Sequence, residues 1–544
     1  MNNRLLQGCC LSAFVVGSFG CKTAPEEEKA EKPNIIYIMT DDHANRALSC
    51  YGGDLIETPN LDRLAEEGMR FNHSFVTNSI SAPSRATLLT GQYSHKNGVI
   101  DNAKEFDGSQ MTFPKLLRDA GYQTAMIGKW HLKSEPTGFD YWKVLPGQGS
   151  YYNPDFIEMG ERMRDTGYVT DLITDEVINW IDQAKGKEKP FCVLYHHKAP
   201  HRAWWPGPDH LNTFDDKQFP EPETLFDDYE DRKAAEAALM EIDSNMYLSS
   251  DLKVKPEHVK QSGMYPDTDN PERFQAYQGS LDRMTEQQKE AWNEAYADRQ
   301  QEFLEFDDRT GNDFVRWKYQ QYMEDYLRCI AGVDDNVGRL LDYLEENDMK
   351  ENTIIVYTSD QGFYLGEHGW FDKRFMYEES LRMPLLVRYP KEVEAGSVNE
   401  DIVLNLDFAP TFLDYAGVEK PEQMQGRSLR PVLKGETPPN WRESMYYHYY
   451  EYPAWHATKR HYGIRTDRYK LIHFYYDIDE WEFYDLEEDP NELNNEIDNP
   501  KYEETIKMLK KRMEDLREKF GDSEELSQKY IEQWIESGHT ESQF

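Results

Sequence analysis

Cysteine is scarce in this chain, with six among 544 residues. Cys9, Cys10 and Cys21 lie near the N-terminus, and Cys50, Cys192 and Cys329 are too widely spaced to form a disulfide framework or a zinc site. Positive charge is also short: 61 Lys and Arg face 101 Asp and Glu, for a net charge of −40. A surface that acidic repels nucleic acid and anionic membranes, so neither is expected as a partner. An anionic ligand would need a local cationic pocket, built against the field of the whole chain. There is no internal repeat. What the chain does have is 38% hydrophobic and 13% aromatic residues, enough for sizeable cores, which excludes wholesale disorder. Its length predicts at least two domains.

The longest apolar stretch near the start, Leu5 to Phe19, follows Arg4 and is interrupted by Gln7. It is too short to span a membrane and fits the core of a signal peptide over residues 1–21. Gly20-Cys21 is similar to a bacterial lipoprotein signal, with Cys21 as the acylated residue and Ser18 where a larger aliphatic residue is usual. The acidic, lysine-bearing stretch 22–32 reads as a solvated tether. The expectation is an exported protein, periplasmic or anchored in the outer membrane, touching membrane only through that lipid.

Beyond residue 33, short dense apolar runs alternate with helical patterns. Asn34 to Met39, Thr124 to Ile127, Phe191 to Tyr195, Thr353 to Thr358 and Pro384 to Arg388 read as buried strands. Thr58 to Gly68, Phe113 to Ala120, Val177 to Ala184 and the apolar positions from Ile330 to Leu344 read as helices. This alternation predicts an α/β fold with a mostly parallel sheet flanked by helices over 33–439. Residues of about 207–320, rich in charge and aromatics, read as a partly helical insertion over one end of the sheet. From 440 the texture becomes aromatic strands with short turns, then an amphipathic helix from Tyr502 to Phe520. That predicts a smaller C-terminal α+β domain, an antiparallel sheet plus helix, over 440–544.

Two acidic pairs follow directly on two of those strands: Asp41-Asp42 and Asp360-Gln361. In open α/β sheets ligands bind at the carboxyl ends of strands. There the four residues would offer only oxygen, which suits a hard divalent cation, calcium or magnesium. Ser81-Ala-Pro-Ser-Arg85 opens a helix, with Pro83 in its first turn and Arg85 one turn after Ser81. A helix N-terminus and an arginine together favour an anion, and Ser81 stands where a nucleophile on an anionic ester would stand.

Ser81-Ala-Pro-Ser-Arg85 with Leu89-Thr-Gly91 resembles the signature of the type I, formylglycine-dependent sulfatases of the alkaline phosphatase superfamily. Gly128-Lys-Trp-His-Leu132, Lys198-Ala-Pro-His201 and Asp360-Gln-Gly362 followed by Lys373 resemble that family's later motifs, in the family's order. Tyr484 to Pro490 resembles part of its small C-terminal domain. The resemblance implies that Ser81 is oxidised to formylglycine (3-oxoalanine). It also implies that one calcium is held by Asp41, Asp42, Asp360 and Gln361 and touched by residue 81. Arg85 and Lys129 would steady the aldehyde hydrate, while Lys129, His131, His201 and Lys373 surround the sulfate. His201 would protonate the departing oxygen, and His131 would help expel sulfate. Serine instead of cysteine at 81 implies, as a partner, an anaerobic radical sulfatase-maturating enzyme.

Gln361 to Ser380 resembles bacterial sulfatases acting on glycosaminoglycan (heparan sulfate) or mucin sugars, particularly N-acetylglucosamine-6-O-sulfatases. A sulfated saccharide needs aromatic platforms and hydrogen-bond donors, and Trp204, Trp205, Trp455, His456 and Arg460 offer these near the junction of the two domains. Two other readings stay open at this point. One is a phosphatase or phosphodiesterase of the same superfamily using Ser81 directly; the other is a non-catalytic protein that binds sulfated glycans.

Overall fold

The computed structural model describes residues 31–187 and 189–538. The leader and acylated cysteine expected in the first 21 residues, and most of the tether, lie outside the described residues. Ten strands form one sheet, in the spatial order Ser397–Asn399, Met69–Phe71, Leu385–Arg388, Thr353–Ser359, Asn34–Thr40, Phe191–His196, Gln123–Lys129, Tyr141–Leu145, Asp155–Glu158 and Glu161–Arg164. The five strands from Thr353–Ser359 to Tyr141–Leu145 run parallel. Leu385–Arg388 and the pair Asp155–Glu158 and Glu161–Arg164 turn antiparallel on either side of them.

The central strand is apolar on both faces because both are covered. Ile36 and Ile38 join a core with the helices Pro59–Glu66, Val169–Ala184 and Asn312–Glu346. Ile35, Tyr37 and Met39 join a second core with Ser81–Thr90, Phe113–Asp119 and Phe408–Tyr415. Near-continuous apolar strands are the signature of such doubly covered parallel sheets. Asn312–Glu346, at 35 residues, runs about 52 Å at 1.5 Å per residue, and its start falls inside the segment read as an insertion. The rest of 207–320 holds no strand among the described residues, only short helices such as Pro271–Arg283, Glu286–Ala295 and Ala297–Glu305.

Register aligns the strand ends that matter. Met39 pairs with His196 and Thr358, His196 with Gly128, and Thr40 with Ser359. Everything that directly follows those residues therefore emerges at one edge. Gly128 has φ +105°, and a Cβ there would lie 1.9 Å from the His196 carbonyl oxygen, so only glycine lets these two strands close.

The C-terminal sheet is antiparallel, in the order Ser444–Tyr449, His461–Thr466, Tyr469–Phe474 and Glu480–Asp485. The helix Glu503–Phe520 packs Ile506, Leu509 and Met513 against it, and a further helix, Glu524–Glu536, follows. This third core also takes in Ile80, Phe375 and Trp370 from the first region. The two sheets thereby belong to one compact unit, Pro33–Phe544. No helix among the described residues is long and apolar enough to cross a membrane.

Candidate active site

The two acidic pairs meet. Asp41, Asp42, Asp360 and Gln361 are all buried at the carboxyl ends of Asn34–Thr40 and Thr353–Ser359. The Asp42 amide donates to Asp360 Oδ1 at 3.2 Å, and Gln361 Nε2 donates to Asp42 Oδ1 at 2.5 Å. Three cations stand against the three carboxylates. Lys129 Nζ lies on Asp41 and also donates to Gln148 Oε1 at 2.5 Å. Lys373 Nζ is 2.7 Å from Asp42 Oδ2, and Arg85 gives two nitrogens to Asp360 Oδ2 at 3.2 and 3.0 Å. Burial pushes the Asp42 carboxyl up to about 6, against the pull of Lys373.

The donor set fits a hard cation. Gln361 Oε1 is buried with no hydrogen-bond partner, an amide oxygen that pays for desolvation unless something electropositive meets it. With the carboxylates of Asp41, Asp42 and Asp360 it makes an all-oxygen group. Asp41, Asp42 and His201 also offer ligand atoms within 4.8 Å of one another, so these residues could hold a metal ion. His201 Nε2 lies 3.9 Å from Asp42 Oδ2.

Ser81 begins the helix Ser81–Thr90, which Gly91 ends at φ 61°. Its Oγ donates to Asp41 Oδ1 at 3.2 Å, tying the serine to the carboxylate centre. Arg85, one turn on, donates to the Lys129 carbonyl at 2.7 Å as well as to Asp360. Its hydrogen bonds fix the centre and do not reach Ser81 itself. Burial, then the nearby Lys129, holds both His131 and His201 well below the ordinary histidine range, so both are neutral imidazoles. His201 Nδ1 lies 2.5 Å from the Arg202 carbonyl oxygen. A carbonyl only accepts, so Nδ1 carries the proton and Nε2 is the open nitrogen.

Above Ser81 opens a cavity of about 580 Å³, a size that holds one or two sugar rings. Ser81, His201 and Lys373 line it together with Trp455 and His456. Two expected sugar contacts are not there. Trp204 is fully buried in the core, its ring 4.6 Å from that of Tyr322 and 6.3 Å from that of Phe363, and its neighbour Trp205 lines the cavity instead. Arg460 is also buried, its Nε donating to the Tyr452 carbonyl at 2.8 Å, so it holds a loop and does not line the cavity. Trp204 is directed inward by rings from a distant part of the chain, Arg460 by a carbonyl of its own loop.

Several cavity residues escaped sequence reasoning. Lys198 opens the Lys198-Ala-Pro-His201 run, whose pattern gives it no role of its own; it lines the cavity, and burial lowers it to about 8. Asp372 and Arg374 flank Lys373. Arg374 donates to Asp372 at 3.0 Å and to Glu451 at 3.0 Å, and His456 Nε2 lies 3.3 Å from Asp372. Burial works against the Asp372 charge, but Lys373, His456 and Arg374 hold it well below the usual carboxylate range. The C-terminal sheet supports this wall: the Tyr447 hydroxyl donates to the Arg374 carbonyl at 2.6 Å, and Arg374 donates to the Tyr449 hydroxyl at 3.1 Å. Asp42, His131, Asp372, Arg374 and His456 all have positive φ, at 70°, 56°, 82°, 100° and 70°. Non-glycine residues in this region cost roughly 1–3 kcal/mol each and cluster at functional sites.

The sulfatase family profile matches residues 33–418, and the profile described as N-sulphoglucosamine sulphohydrolase, C-terminal, matches 366–519. A protein of Bacteroides thetaiotaomicron named N-acetylglucosamine-6-O-sulfatase is 54% identical over 506 residues, covering 92% of this chain and 89% of that protein. The human N-acetylglucosamine-6-sulfatase is 25% identical over 472 residues, 82% of this chain and 70% of its own length. A solved structure described as a complex with its substrate D-glucosamine-2-N,6-O-disulfate superposes with a TM-score of 0.86 at 53% identity. The match covers 91% of this chain and 99% of that one.

Proposed function

The chain belongs to the sulfatase family, and from that membership we propose that it hydrolyses the 6-O-sulfate ester of glucosamine residues, N-acetylated or N-sulfated, in glycosaminoglycans. The observation that carries the chemistry is Ser81 Oγ held on Asp41 at the cavity floor, beside the other carboxylates. The substrate rests on similarity: a relative is named for N-acetylglucosamine 6-O-sulfate, and a similar solved structure holds a 6-O-sulfated glucosamine.

In this reading Ser81 is oxidised to formylglycine by a radical maturating enzyme, losing two hydrogens. Asp41, Asp42, Asp360 and Gln361 would hold a calcium ion, which when bound supplies positive charge against the oxygens of residue 81 and the sulfate. Water adds to the residue-81 aldehyde, and one of the two hydroxyls so formed attacks sulfur. The attacking hydroxyl gives its proton to His201 Nε2, the nitrogen left open by the Arg202 hydrogen bond; as the bond from sulfur to the sugar oxygen breaks, His201 passes that proton to the departing oxygen. The second hydroxyl then loses its proton to His131, the bond from residue 81 to the sulfate oxygen breaks, and the aldehyde returns. Lys198 and Lys373 meet the sulfate oxygens in a buried setting where their charge is poorly screened. Ser81 and Lys373 are both buried where they line the cavity, so a chain end reaches them more readily than the interior of a polymer.

The test is paired. Protein made with the maturating enzyme should carry a residue-81 peptide two hydrogens lighter than serine, and should release sulfate from 6-O-sulfated N-acetylglucosamine faster than from 2-O- or 3-O-sulfated sugars. Turnover by protein whose Ser81 is unmodified would refute the formylglycine route. A 2-O or 3-O preference would refute the substrate.

A further inference from the structure

Six cationic side chains line the cavity: Lys198, Arg202, Arg273, Arg283, Lys373 and Arg374. Four of them stand on carboxylates. Arg202 is bidentate on Asp251 at 2.8 and 2.6 Å, Arg283 lies 3.0 Å from Asp155, Lys373 holds Asp42, and Arg374 holds Asp372 and Glu451. Lys198 sits over the Tyr151 ring at 4.6 Å beside the catalytic end. Arg273 alone of the six is away from that end and has no carboxylate and no side-chain hydrogen bond among the described residues; its Nε is buried without a partner.

Its position is built. Arg273 sits in the first turn of Pro271–Arg283, a helix capped by the Asn270 side chain. It shares one face with Ala276, Tyr277 and Ser280, which also line the cavity. The guanidinium lies against two rings, 4.3 Å from the centre of Tyr247 and 5.2 Å from that of Trp455. Contacts of this kind are made to the rings and use up none of its N–H groups, which stay available to a planar or tetrahedral oxyanion. Trp455 is half exposed on the cavity wall and is continuous through His456 and Asp372 with Lys373.

We propose that Arg273 anchors a second anion subsite, which takes an acidic substituent of the saccharide other than the sulfate ester that is cleaved. The proposal rests on reading the cavity as a sulfated-glucosamine site. The anion is an N-sulfate on the same ring as the cleaved ester or the carboxylate of a neighbouring uronic acid. In a protein of charge −40, a stacked guanidinium with no carboxylate of its own is what lets the wall prefer a doubly anionic ligand over a singly anionic one.

The experiment uses matured enzyme, wild type, Arg273→Met and Arg273→Lys. Methionine keeps an apolar stem against Trp455 and Tyr247 and removes the charge. Three substrates carry the same 6-O-sulfate: N-acetylglucosamine, N-sulfoglucosamine, and N-acetylglucosamine linked to a uronic acid. The readout is the ratio of kcat/KM for each doubly anionic substrate to that for the first. Arg273→Met should lower one of these ratios about tenfold at low salt, less at high salt, and Arg273→Lys should keep most of it. The ratio that falls identifies the anion, and calorimetric affinities of the corresponding desulfated sugars should fall in parallel. Ratios that stay constant, whether all rates drop together or none does, overturn the proposal and leave Arg273 a packing residue. Failure of the wild type on all three substrates overturns the substrate reading together with the subsite, and shows before any variant is compared.

Discussion

Trp204 and Trp455 were both plausible sugar platforms, and the structure separates them by burial. Trp204 is 0% exposed and Trp455 is 53% exposed on the cavity wall. Truncating Trp204 to alanine removes a side chain that buries about 150–250 Å². At about 25 cal/mol per Å² that is roughly 4–6 kcal/mol as an upper bound. Measured tryptophan and phenylalanine truncations in cores fall at about 3–5 kcal/mol, so Trp204→Ala should cost about that much. Trp204→Phe should cost far less, about 1 kcal/mol, because it keeps the ring against Tyr322 and deletes an N–H that has no acceptor. Trp455→Ala should leave thermal stability within about 0.5 kcal/mol of wild type. It should raise KM on 6-O-sulfated N-acetylglucosamine roughly five- to thirtyfold, the factor that 1–2 kcal/mol of lost stacking supplies. Thermal and urea unfolding of the three variants, read beside their Michaelis parameters, decide the matter. A Trp204→Ala protein with an unchanged unfolding midpoint and a raised KM would falsify the burial argument, because its ring would then be reaching substrate.

Ser81→Ala should abolish turnover with no loss of unfolding midpoint, and Ser81→Cys should restore turnover when a maturation enzyme that accepts cysteine is co-produced; full activity in Ser81→Ala ends the mechanism. Stripping divalent metal should lower both activity and melting temperature, because it leaves the Asp41, Asp42 and Asp360 carboxylates crowded together. Added calcium should restore both, and a melting curve indifferent to chelator and calcium would count against the site. A pH effect is expected far from the centre. Burial raises Glu482 to about 8, opposed by hydrogen bonds from the Tyr377 and Tyr484 hydroxyls, against an ordinary 4.5. The folded state thus holds a proton that the unfolded chain has released, and this stabilisation is complete below pH 4.5 and is lost as pH rises through 8. The melting temperature of Glu482→Gln relative to wild type should therefore climb between pH 5 and 9, and a difference that stays flat across that range means Glu482 is ionised in the fold.

Much of the site was legible in the chain because its parts are local. Asp41-Asp42 and Asp360-Gln361 each follow an apolar strand, and Ser81 and Arg85 share one helical turn. A strand's burial and a helix's spacing are read from neighbours in sequence, so these elements and their ends could be placed from residue order. The family's motif order then tied them together. The short strands Met69–Phe71, Tyr141–Leu145, Asp155–Glu158, Glu161–Arg164 and Ser397–Asn399 gave no such signal. Glu161–Arg164 has no apolar run at all, and it is a strand because Asp155–Glu158 offers it an edge. The direction of each side chain was equally hidden. Trp204 and Trp205 are adjacent, yet one fills the core beside Tyr322 and the other faces the cavity, and nothing in local composition distinguishes them. Arg273, Glu451 and Arg374 reach one cavity from an insertion helix, the C-terminal region and the loop between the strands Thr353–Ser359 and Leu385–Arg388. Their meeting depends on how three distant segments pack, and packing is decided by partners far away in the sequence. Residue order alone determined the apolar strands at the middle of the sheet, the carboxylate centre and the helix start that sets Ser81 beside it; tertiary structure decided the outer strands and which aromatics and cations surround the centre, because burial belongs to the folded neighbourhood and not to the residue.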